Sequence, residues 1–475
     1  MAVVNLYLNV KGAPDKVEIE DKPLKSGGEG TVFRSKDGRW VVKIYHPGKV
    51  KPEKREDLEK ITRLCAYLGS DEEQFLCWPQ AVVQTVDGKP EIGCLTKFMA
   101  LPKLSDINQS RYAAERQVQS GKSWSHYLQI ARGIARTVRV LHKYGAVHAD
   151  LSNNNFFVNP NDCNVILFDL DGLIIEGGHT HGHVLGTKGM IAREIMVRNS
   201  DKEAQPNELS ERHSLAVQIL QTLLFRNVFK PLVTYDETDM DKDDDIGWGL
   251  RLTFSEDPKD TRNHPKNLGL PLTQDGELSY KILTPGLKKL TERACMEGVR
   301  NPEKRPSAQD WINTLSYALD ELYLCQHCHL HFPYPHWIQE VKERSCPFCG
   351  KPVGGNLPSI IAIYEPDGHG KYLAAQRYLV MSHSWQLFPD VLDPRVGSKK
   401  DPPMSRKKEE VSIGFVVRDG KRGGNRLVNN EGGVWRAAQP GVTGLTIARK
   451  GESLPLIPGT IINLGDDRRL FAVIE

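Results

Sequence analysis

The sequence has no long apolar run and no strong excess of either charge. No stretch approaches the roughly 18 consecutive apolar residues of a membrane-spanning helix, so we expect no membrane span. The 63 Lys and Arg nearly balance the 60 Asp and Glu, for a net charge of +3. This gives no basic excess favouring nucleic acid as the main partner. The first residues lack the basic and apolar segments of a secretory signal, so a cytoplasmic location is expected.

Cysteine is also scarce, since nine in 475 residues are too few for a disulfide scaffold. Five of them are scattered and predict buried thiols in a reducing compartment: Cys65, Cys77, Cys94, Cys163 and Cys295. The composition, with 39% hydrophobic and 26% charged residues, is typical of a globular protein. The length predicts roughly two to four domains.

The patterning changes along the chain and predicts a multi-domain α+β protein. Up to about residue 100, short β-branched runs predict strands, with one helix over residues 54–68. Residues 101–320 are mostly helical, with amphipathic stretches over 124–142, 211–224 and 308–322. The acidic run 236–245 predicts a solvated loop. Strand signals return after residue 357, and the Pro- and Lys-rich stretch 397–410 predicts a flexible loop.

Two features of the first 100 residues suggest a phosphate site. Gly27, Gly28 and Gly30 form a turn between two predicted strands, ahead of Val32. Glycine backbone can approach phosphates closely and point N–H groups at them, although a plain hairpin turn explains the same pattern equally well. Lys43 lies on the next predicted strand, where an ordinary exposed lysine is the simplest interpretation when it is considered alone.

Two further features supply groups for a metal and for proton handling. The stretch from His148 to Asn155 follows a predicted helix and reads His-x-Asp-x-x-x-x-Asn. Asp150 can orient a hydroxyl proton, and an asparagine five residues later can hold Mg²⁺. Asp169 ends a short apolar strand, and carboxylates are ligands that Mg²⁺ prefers; Asp171 is a second candidate. A capped turn followed by a hairpin carboxylate, without any metal or nucleotide, would explain these last two features as well. The order of all four features nevertheless favours a nucleotide site.

These four features resemble the protein-kinase-like family over about residues 20–320. The resemblance implies a bilobal fold over residues 1–322, with an N-lobe to about 100 and a C-lobe over 101–322. It implies that the glycine loop, with Val32, covers the phosphates of ATP and that Lys43 contacts its α- and β-phosphates. It makes Asp150 the catalytic aspartate and Asn155 and Asp169 the Mg²⁺ ligands.

The resemblance extends to the adenine contact and to a structural ion pair. Residues 96–99 correspond to the segment that joins the lobes, so Lys97 and Met99 are expected to contact adenine. Residues 186–194 resemble the end of an activation segment, where Glu194 is expected to pair with Arg305.

Several residues depart from the family pattern. In the nucleotide and catalytic loops, Lys25 replaces a loop glycine, Ala149 replaces the arginine of His-Arg-Asp, and Ser152 replaces the catalytic-loop lysine. Further along, Leu170 and Asp171 replace Phe-Gly, Arg193 replaces the proline of Ala-Pro-Glu, and Glu211 replaces a helical aspartate. Ser152 is shared with the RIO-type atypical kinases, which this stretch also resembles. Without the arginine, phosphorylation of the activation segment is not expected to switch the protein on. Either Glu56 or Glu59 fits the helix-C glutamate, with Glu59 preferred.

The remaining four cysteines are clustered in a metal-binding pattern. Cys325, Cys328, Cys346 and Cys349 give C-x₂-C-x₁₇-C-x₂-C, a spacing that falls in the range of paired zinc knuckles. Two disulfides or free thiols are the alternatives, and a thioredoxin-like site lacks its βαβ setting. The nearby His327, His329, His331 and His336 are not needed as ligands. We therefore predict a structural zinc ribbon over residues 323–352, with a docking role and with metal binding supplying its folding energy.

The last 120 residues predict an all-β module. Short strands alternate with turn signals, which favours a β-sandwich over about residues 357–475. The final strands resemble those of a forkhead-associated (FHA) domain. The Gly-Arg and Ser-x-x-His pattern with which such domains read phosphothreonine is not present, so phosphothreonine binding is not predicted, and an unrelated docking sandwich is an open alternative.

The arrangement of kinase-like fold, zinc ribbon and FHA-like tail resembles the kinase of the bacterial TerY–phosphatase–kinase triads. It implies a bacterial cytosolic Ser/Thr signalling kinase that uses ATP and Mg²⁺. It also implies a von Willebrand A-type protein and a metal-dependent protein phosphatase as partners, and neither nucleic acid nor membrane. Three alternatives remain: a pseudokinase scaffold that binds nucleotide without turnover, a small-molecule kinase, and a pure binding module formed by residues 323–475.

Overall fold

The computed structural model describes residues 2–108, 120, 122–175, 186–197, 205–266, 268–269, 277–334, 345–346, 349–353, 357–382, 385–392, 412–420 and 423–474. The chain forms two compact units. The first comprises Met1–Arg116, Gln129–Lys266 and Thr291–Ile312; the second comprises Gln117–Leu128, Asn267–Leu290 and Asn313–Glu475. The mixed α+β, multi-domain class is confirmed, whereas the predicted domain limits stay a prediction.

The first unit begins with an eight-stranded sheet. Its strands are β1 Ala2–Tyr7, β2 Lys16–Ile19, β3 Lys25–Ser26, β4 Gly30–Arg34, β5 Trp40–Tyr45, β6 Ala81–Val86, β7 Lys89–Pro90 and β8 Gly93–Lys97. The order is β2-β1-β6-β8-β5-β4-β3, with β7 on β6. Neighbouring strands pair antiparallel, and Lys43 of β5 lies opposite Cys94 of β8.

Residues of opposite parity line the two faces of this sheet. On one face, Val42, Val83 and Leu95 belong to an apolar core with Trp40. On the other face, Val82 and Cys94 pack with Leu58 of helix α1, Lys54–Cys65. This alternation is the period-two pattern of a sheet that is covered on both sides. The predicted helix 54–68 is present but ends three residues early, where Ala66 N–H turns back to Arg63 O.

Between this sheet and residue 320 the chain is mainly helical and carries short strand pairs. The helices that follow α1 along the chain are α2 Ser70–Glu73, α3 Leu104–Asn108, α4 Trp124–Lys143, α5 Arg193–Met196, α6 Glu208–Leu224, α7 Met240–Asp245, α8 Pro285–Glu292 and α9 Ala308–Asp320. Strands β9 Ala146–Val147 and β12 Ile174–Ile175 pair antiparallel, as do β10 Phe156–Val158 and β11 Val165–Leu167. The amphipathic stretches predicted from the sequence correspond to α4, α6 and α9.

The acidic run 236–245 is not only a loop, because its second half is the helix α7. The Asp239 side chain accepts the Lys242 N–H and caps the helix start. The Asp236 carboxylate pairs with Lys242 at 2.7 Å and accepts the N–H groups of Thr238 and Asp239. Capping by aspartate therefore outweighs charge repulsion here, and the expectation of a simple loop was wrong.

The second unit contains a two-sheet β-sandwich. Its six-stranded sheet has the order β18-β17-β26-β25-β22-β23, made of β17 Ser359–Pro366, β18 Tyr372–Met381, β22 Trp435–Ala438, β23 Leu445–Ala448, β25 Ile461–Asn463 and β26 Leu470–Val473. Its four-stranded sheet has the order β19-β20-β21-β24, made of β19 Gln386–Leu387, β20 Gly414–Arg418, β21 Asn425–Asn429 and β24 Ser453–Pro455. Both sheets are antiparallel.

Both sheets of the sandwich contribute to one core. Leu379 and Phe471 of the larger sheet share it with Leu427 and Leu454 of the smaller, around the fully buried Trp435. The short helix α10, Pro389–Leu392, closes against the same core. The predicted β-sandwich is thus confirmed in the described part of the tail, with one short helix added, while its relation to FHA domains stays a prediction. The predicted flexible loop 397–410 lies outside the described residues.

Two smaller strand pairings, the scattered cysteines and one finding on helices complete the description. In the second unit, β13 Leu268–Gly269 pairs with β14 Glu277–Leu278, and β15 Leu322–Leu324 pairs with β16 His331–Pro333. The five scattered cysteines are all buried, as predicted. None of the helices in the described ranges combines the length and the apolar character needed to cross a lipid bilayer.

Close packing at Gly414 gives a test of the sandwich. A Cβ atom there would lie 2.6 Å from the Trp435 ring and 2.9 Å from Val428 O, whereas one at Gly420 would meet nothing within 4 Å. We expect Gly414→Ala to lower the free energy of unfolding by about 1–3 kcal/mol through overpacking. The matched control Gly420→Ala should stay within about 0.5 kcal/mol. Urea denaturation of the full chain, followed by tryptophan fluorescence, measures both; equal midpoints would contradict the packing.

Candidate active site and metal centre

A cavity of about 430 Å³ lies in the first unit, within the size range of small-molecule sites. The predicted ATP-contacting residues that line it are Gly27, Gly28, Gly30, Val32, Lys43, Lys97, Met99 and Asp169. Asp150 and Asn155 do not line it. These lining residues lie on the β3–β4 hairpin, on β5, at the end of β8 and on the segment after β11, so the fold gathers four separated segments around one space.

The glycines of the β3–β4 hairpin differ in the structural role that each one has. A Cβ atom at Gly30 would lie 2.5 Å from Ile44 O, so glycine there permits close pairing of β4 with β5. Gly28 faces open space, with nothing within 4 Å of a built Cβ atom. Gly27 donates its N–H to Gly30 O at 2.9 Å and closes the turn. Gly28 therefore leaves free room of the kind that a phosphate would need.

Lys43 is the cation at the inner end of the cavity. Its Nζ lies 2.7 Å from Asp171 Oδ2 and 3.1 Å from Asp169 Oδ1. Desolvation by burial lowers the pKa of Lys43, but the carboxylates of Asp171 and Asp169 together raise it overall. Lys43 therefore keeps its charge at neutral pH and is held by two acids.

The two acids differ in environment. Asp169 has left-handed backbone (φ 66°, ψ 40°) and a side chain that is half exposed. Asp171 lies in the turn Leu170–Gly172 with 5% of its side chain exposed. Burial alone would raise the pKa of Asp171, but the positive charges of Lys43 and Lys54 hold it below its usual range. Asp169 is thus the acid that faces the open part of the site.

Neither predicted helix-C glutamate pairs with Lys43. Glu59 accepts a hydrogen bond of 2.7 Å from the Tyr7 hydroxyl on β1. In the described part of the chain, the carboxylates paired with Lys43 are those of Asp169 and Asp171. The preference for Glu59 was therefore wrong, because a strand ahead of the kinase-like region supplies Glu59 with another partner.

The loop of residues 148–155 is tied to the segment that follows β11 and carries Asp169. His148 Nε2 lies 3.2 Å from Phe168 O, and Phe168 N–H donates to Asn155 O at 2.9 Å. The buried Glu211 of α6 accepts the His148 N–H at 2.6 Å. Its other oxygen lies 2.7 Å from His142 Nε2. These bonds fix the loop beside Asp169.

Asp150 is held by Thr187. The N–H and the hydroxyl of Thr187 both donate to Asp150 Oδ1, each at 2.8 Å. The other oxygen, Oδ2, has no donor within the described ranges. Ala149, just ahead of it, has a positive φ of 66°, a backbone state that costs about 1–3 kcal/mol and is held by the surrounding bonds. One carboxylate oxygen is therefore left for an acceptor hydroxyl.

Asn155 is fixed by the residue that replaces the family's lysine. Ser152 Oγ donates to Asn155 Oδ1 at 2.7 Å, and both side chains are buried. The serine thus orients the predicted metal ligand and provides no positive charge. The roles of Asp150, Asn155 and Asp169 in catalysis and metal binding stay predictions.

Three residues that contact the site were not identified from the sequence: Tyr45, Lys54 and Thr187. Tyr45 could have been found, since it lies two residues after Lys43 on the same strand and therefore points to the same face. Lys54 and Thr187 reach the site only through tertiary contacts.

The predicted ion pair between Glu194 and Arg305 forms. Arg305 Nη1 and Nη2 donate to the two Glu194 oxygens at 2.6 and 2.8 Å. The Arg305 side chain is fully buried and also donates to Leu209 O and Gly298 O. This bidentate pair anchors the segment that carries Thr187 against the helical part of the unit.

The second unit brings the four clustered cysteines together. Their Sγ atoms all lie within 4.8 Å of one another. Cys325 Sγ lies 3.8 Å from Cys349 Sγ, and Cys328 Sγ lies 3.7 Å from Cys346 Sγ. A tetrahedral centre with Zn–S bonds of about 2.3 Å requires S···S separations of about 3.8 Å, whereas a disulfide requires about 2.05 Å. The cluster could therefore hold a zinc ion.

The backbone around the two cysteine pairs follows one pattern. His329 N–H donates to Cys325 O at 3.0 Å, and Gly350 N–H donates to Cys346 O at 2.9 Å. Both donors have left-handed backbone, with φ of 57° and 68°. Each cysteine pair thus lies in its own tight turn of the same type, and each turn points two sulfurs at one centre. His336 lies outside the described residues.

Comparisons with known proteins point to a kinase-like protein. No family model matches the chain. Two curated proteins named "Protein kinase YegI", from two strains of Escherichia coli, are each 25% identical to it over 336 residues, which is 69% of this chain and 48% of the relative. The chain therefore spans about half the length of the curated relatives it matches. These similarities support a kinase-like family for the chain.

The metal centre predicts a measurable zinc content. Replacing both Cys346 and Cys349 by Ser should remove one zinc per chain, since two thiolates cannot close a tetrahedral site. Mass-spectrometric metal analysis of purified protein measures this. The control Cys163→Ala removes a buried thiol in the first unit and should leave zinc unchanged. Equal zinc in the double variant and the unaltered chain would contradict the site.

Proposed function

We propose that this chain is an ATP-dependent Ser/Thr protein kinase of bacterial signalling type. The observation that carries the proposal is the pairing of Lys43 with Asp169, 3.1 Å apart, on a cavity that the glycine hairpin also lines. The similarity to proteins named protein kinase supports a kinase-like phosphotransferase. Serine and threonine as acceptors follow from the family resemblance.

Nucleotide binding would use the whole cavity. The adenine would lie against Lys97 and Met99, and the phosphates would lie between the open space at Gly28 and the ammonium of Lys43. Asp169 and Asn155 would hold Mg²⁺, which when bound neutralises charge on the β- and γ-phosphates. Lys43 would contact the phosphates as a fixed cation whose own position is set by acids behind it.

Transfer would depend on how Asp150 is held. With Oδ1 occupied by Thr187, Oδ2 would accept the proton of the substrate hydroxyl as its oxygen attacks the γ-phosphorus in line. The bond from that phosphorus to the β–γ bridging oxygen breaks, and ADP leaves. Positioning and charge neutralisation account for most of the rate in such reactions, so few side chains are needed.

The second unit would supply docking modules. The four-cysteine centre would be a structural zinc ribbon, and the sandwich, FHA-like in our interpretation, would recruit partners. A von Willebrand A-type protein and a metal-dependent phosphatase in a bacterial cytoplasm are the partners and the setting that we propose.

A pseudokinase scaffold is the second candidate. The observation that favours it is Ser152, which is engaged with Asn155 and leaves the catalytic loop without the lysine that contacts the γ-phosphate in the family. In that case the chain binds nucleotide and its partners without turnover.

Loss of Asp150 or Lys43 separates the two candidates. Asp150→Asn removes the proton acceptor, and Lys43→Ala removes the phosphate contact; each should lower transfer from radiolabelled ATP to a general protein substrate by about 100-fold or more. The controls Asp466→Asn and Lys89→Ala change exposed residues and should keep full activity. Full transfer by Asp150→Asn contradicts the mechanism, and ATP binding without transfer by the unaltered chain favours the scaffold.

The acceptor residue is tested separately. Hydrolysis of the labelled product followed by phosphoamino-acid analysis should show phosphoserine and phosphothreonine. Phosphotyrosine as the main product would contradict the proposed acceptor, and label on a small molecule alone would favour a small-molecule kinase.

A further inference from the structure

The nearest anion to Lys43 comes from an unexpected place. Asp171 Oδ2 lies 2.7 Å from Lys43 Nζ, closer than Asp169 Oδ1 at 3.1 Å. Asp171 stands two residues after Asp169, where the resemblance would place a glycine. Its side chain is 5% exposed, against 50% for Asp169. A carboxylate buried to this degree persists only with strong partners.

The partners of Asp171 form a closed set. The Tyr45 hydroxyl donates to the same Oδ2 that contacts Lys43, so one oxygen receives two donors. Lys54 Nζ donates to the backbone carbonyl of Asp171 at 2.7 Å. The ammonium groups of Lys43 and Lys54 each lie 5.2 Å from the centre of the Tyr45 ring, within the range of cation–π attraction.

These contacts argue against Asp171 as a metal ligand. Its Oδ2 is already engaged by a cation and a hydroxyl, and its side chain is almost fully enclosed. A Mg²⁺ ion that bridges phosphates must also be reached from the open side of the site and keeps several waters. Asp169 and Asp171 both line the cavity, but Asp169 is the half-exposed acid and meets that requirement.

Helix α1 contributes a positive charge to the site, whereas helix C of the family is expected to contribute a negative one. α1 gives the site the ammonium of Lys54, whereas Glu59 bonds to Tyr7. A shift of α1 would therefore break the bond from Lys54 to a backbone carbonyl and would leave the pair of Lys43 with Asp171 in place.

We propose that Asp171 is the positioning residue that holds Lys43 toward the nucleotide phosphates, in place of a carboxylate from α1. This inference rests on the proposed function and extends it to regulation. The metal-binding Asp169 and the partner of Lys43 lie two residues apart on one turn, so the turn assembles both halves of the phosphate site together. The site is assembled without a helix movement as its switch.

The experiment compares carboxylates on the turn with carboxylates on α1. The variants Asp171→Asn, Asp171→Glu, Tyr45→Phe, Glu56→Gln and Glu59→Gln are made in the full chain. Calorimetry measures the affinity for Mg²⁺ and ATP, circular dichroism measures folding, and steady-state kinetics separate kcat from KM.

We expect Asp171→Asn to weaken ATP binding by about 10-fold and to lower kcat by about 100-fold, because Lys43 loses its nearest anchor. Asp171→Glu should restore part of both, and Tyr45→Phe should weaken binding about 3-fold. Both α1 variants should stay within about 2-fold. If Asp171→Asn fails to fold, Asp171→Glu and Tyr45→Phe decide.

Loss of binding in Glu56→Gln or Glu59→Gln together with unchanged binding in the Asp171 variants would overturn the inference. Unchanged binding and kcat in both Asp171→Glu and Tyr45→Phe, with Asp171→Asn folded and fully active, would also overturn it. An unaltered chain that binds ATP without transfer, with binding weakened only by the Asp171 and Tyr45 changes, would support the inference while the proposed kinase activity fails. A folded chain that does not bind ATP would reject both.

Discussion

The charge of Lys43 is the constraint on which the rest of the site depends. An ammonium that is only 20% exposed must have an anion beside it, since an unpaired buried charge costs several kcal/mol. The structure provides two, Asp171 behind it and Asp169 beside the cavity. Under the proposed function, this division would let Asp171 keep Lys43 in place while Asp169 held a metal ion.

The remaining parts of the first unit place the reacting groups around that pair. The Phe168 carbonyl contacts His148 Nε2 and the Phe168 N–H donates to Asn155 O, so the 148–155 loop is held near the segment of Asp169. Thr187 holds one oxygen of Asp150, and the Glu194–Arg305 pair anchors the segment that carries Thr187. The second unit adds a sandwich with its own core and a separate four-sulfur centre. The candidate active site and the four-cysteine centre therefore lie in different compact units of the chain.

Local patterns predicted the features that depend on neighbouring residues. The two cysteine turns follow from spacing, because each turn is closed by a hydrogen bond within five residues. Helices α4, α6 and α9 follow from amphipathic periodicity. The partner of Lys43 could not be predicted from the sequence for two reasons. Glu59 is hydrogen-bonded to Tyr7, which lies 52 positions away in the chain. The position of Asp171 two residues after Asp169 fits a metal ligand equally well. Gly30 is required by a close contact with another strand, which the sequence likewise does not show. Helix α7 depends on capping by Asp239, which could not be distinguished within a run of acidic residues.

The central claim concerns where a nucleotide would bind. An experimental structure of the full chain with Mg²⁺ and a non-hydrolysable ATP analogue tests it most directly. The account predicts phosphate oxygens within hydrogen-bond distance of Lys43 Nζ, a metal ion on Asp169, and a retained contact between Lys43 and Asp171. A nucleotide bound elsewhere, or one bound in the cavity with Lys43 turned away from its phosphates, would contradict it.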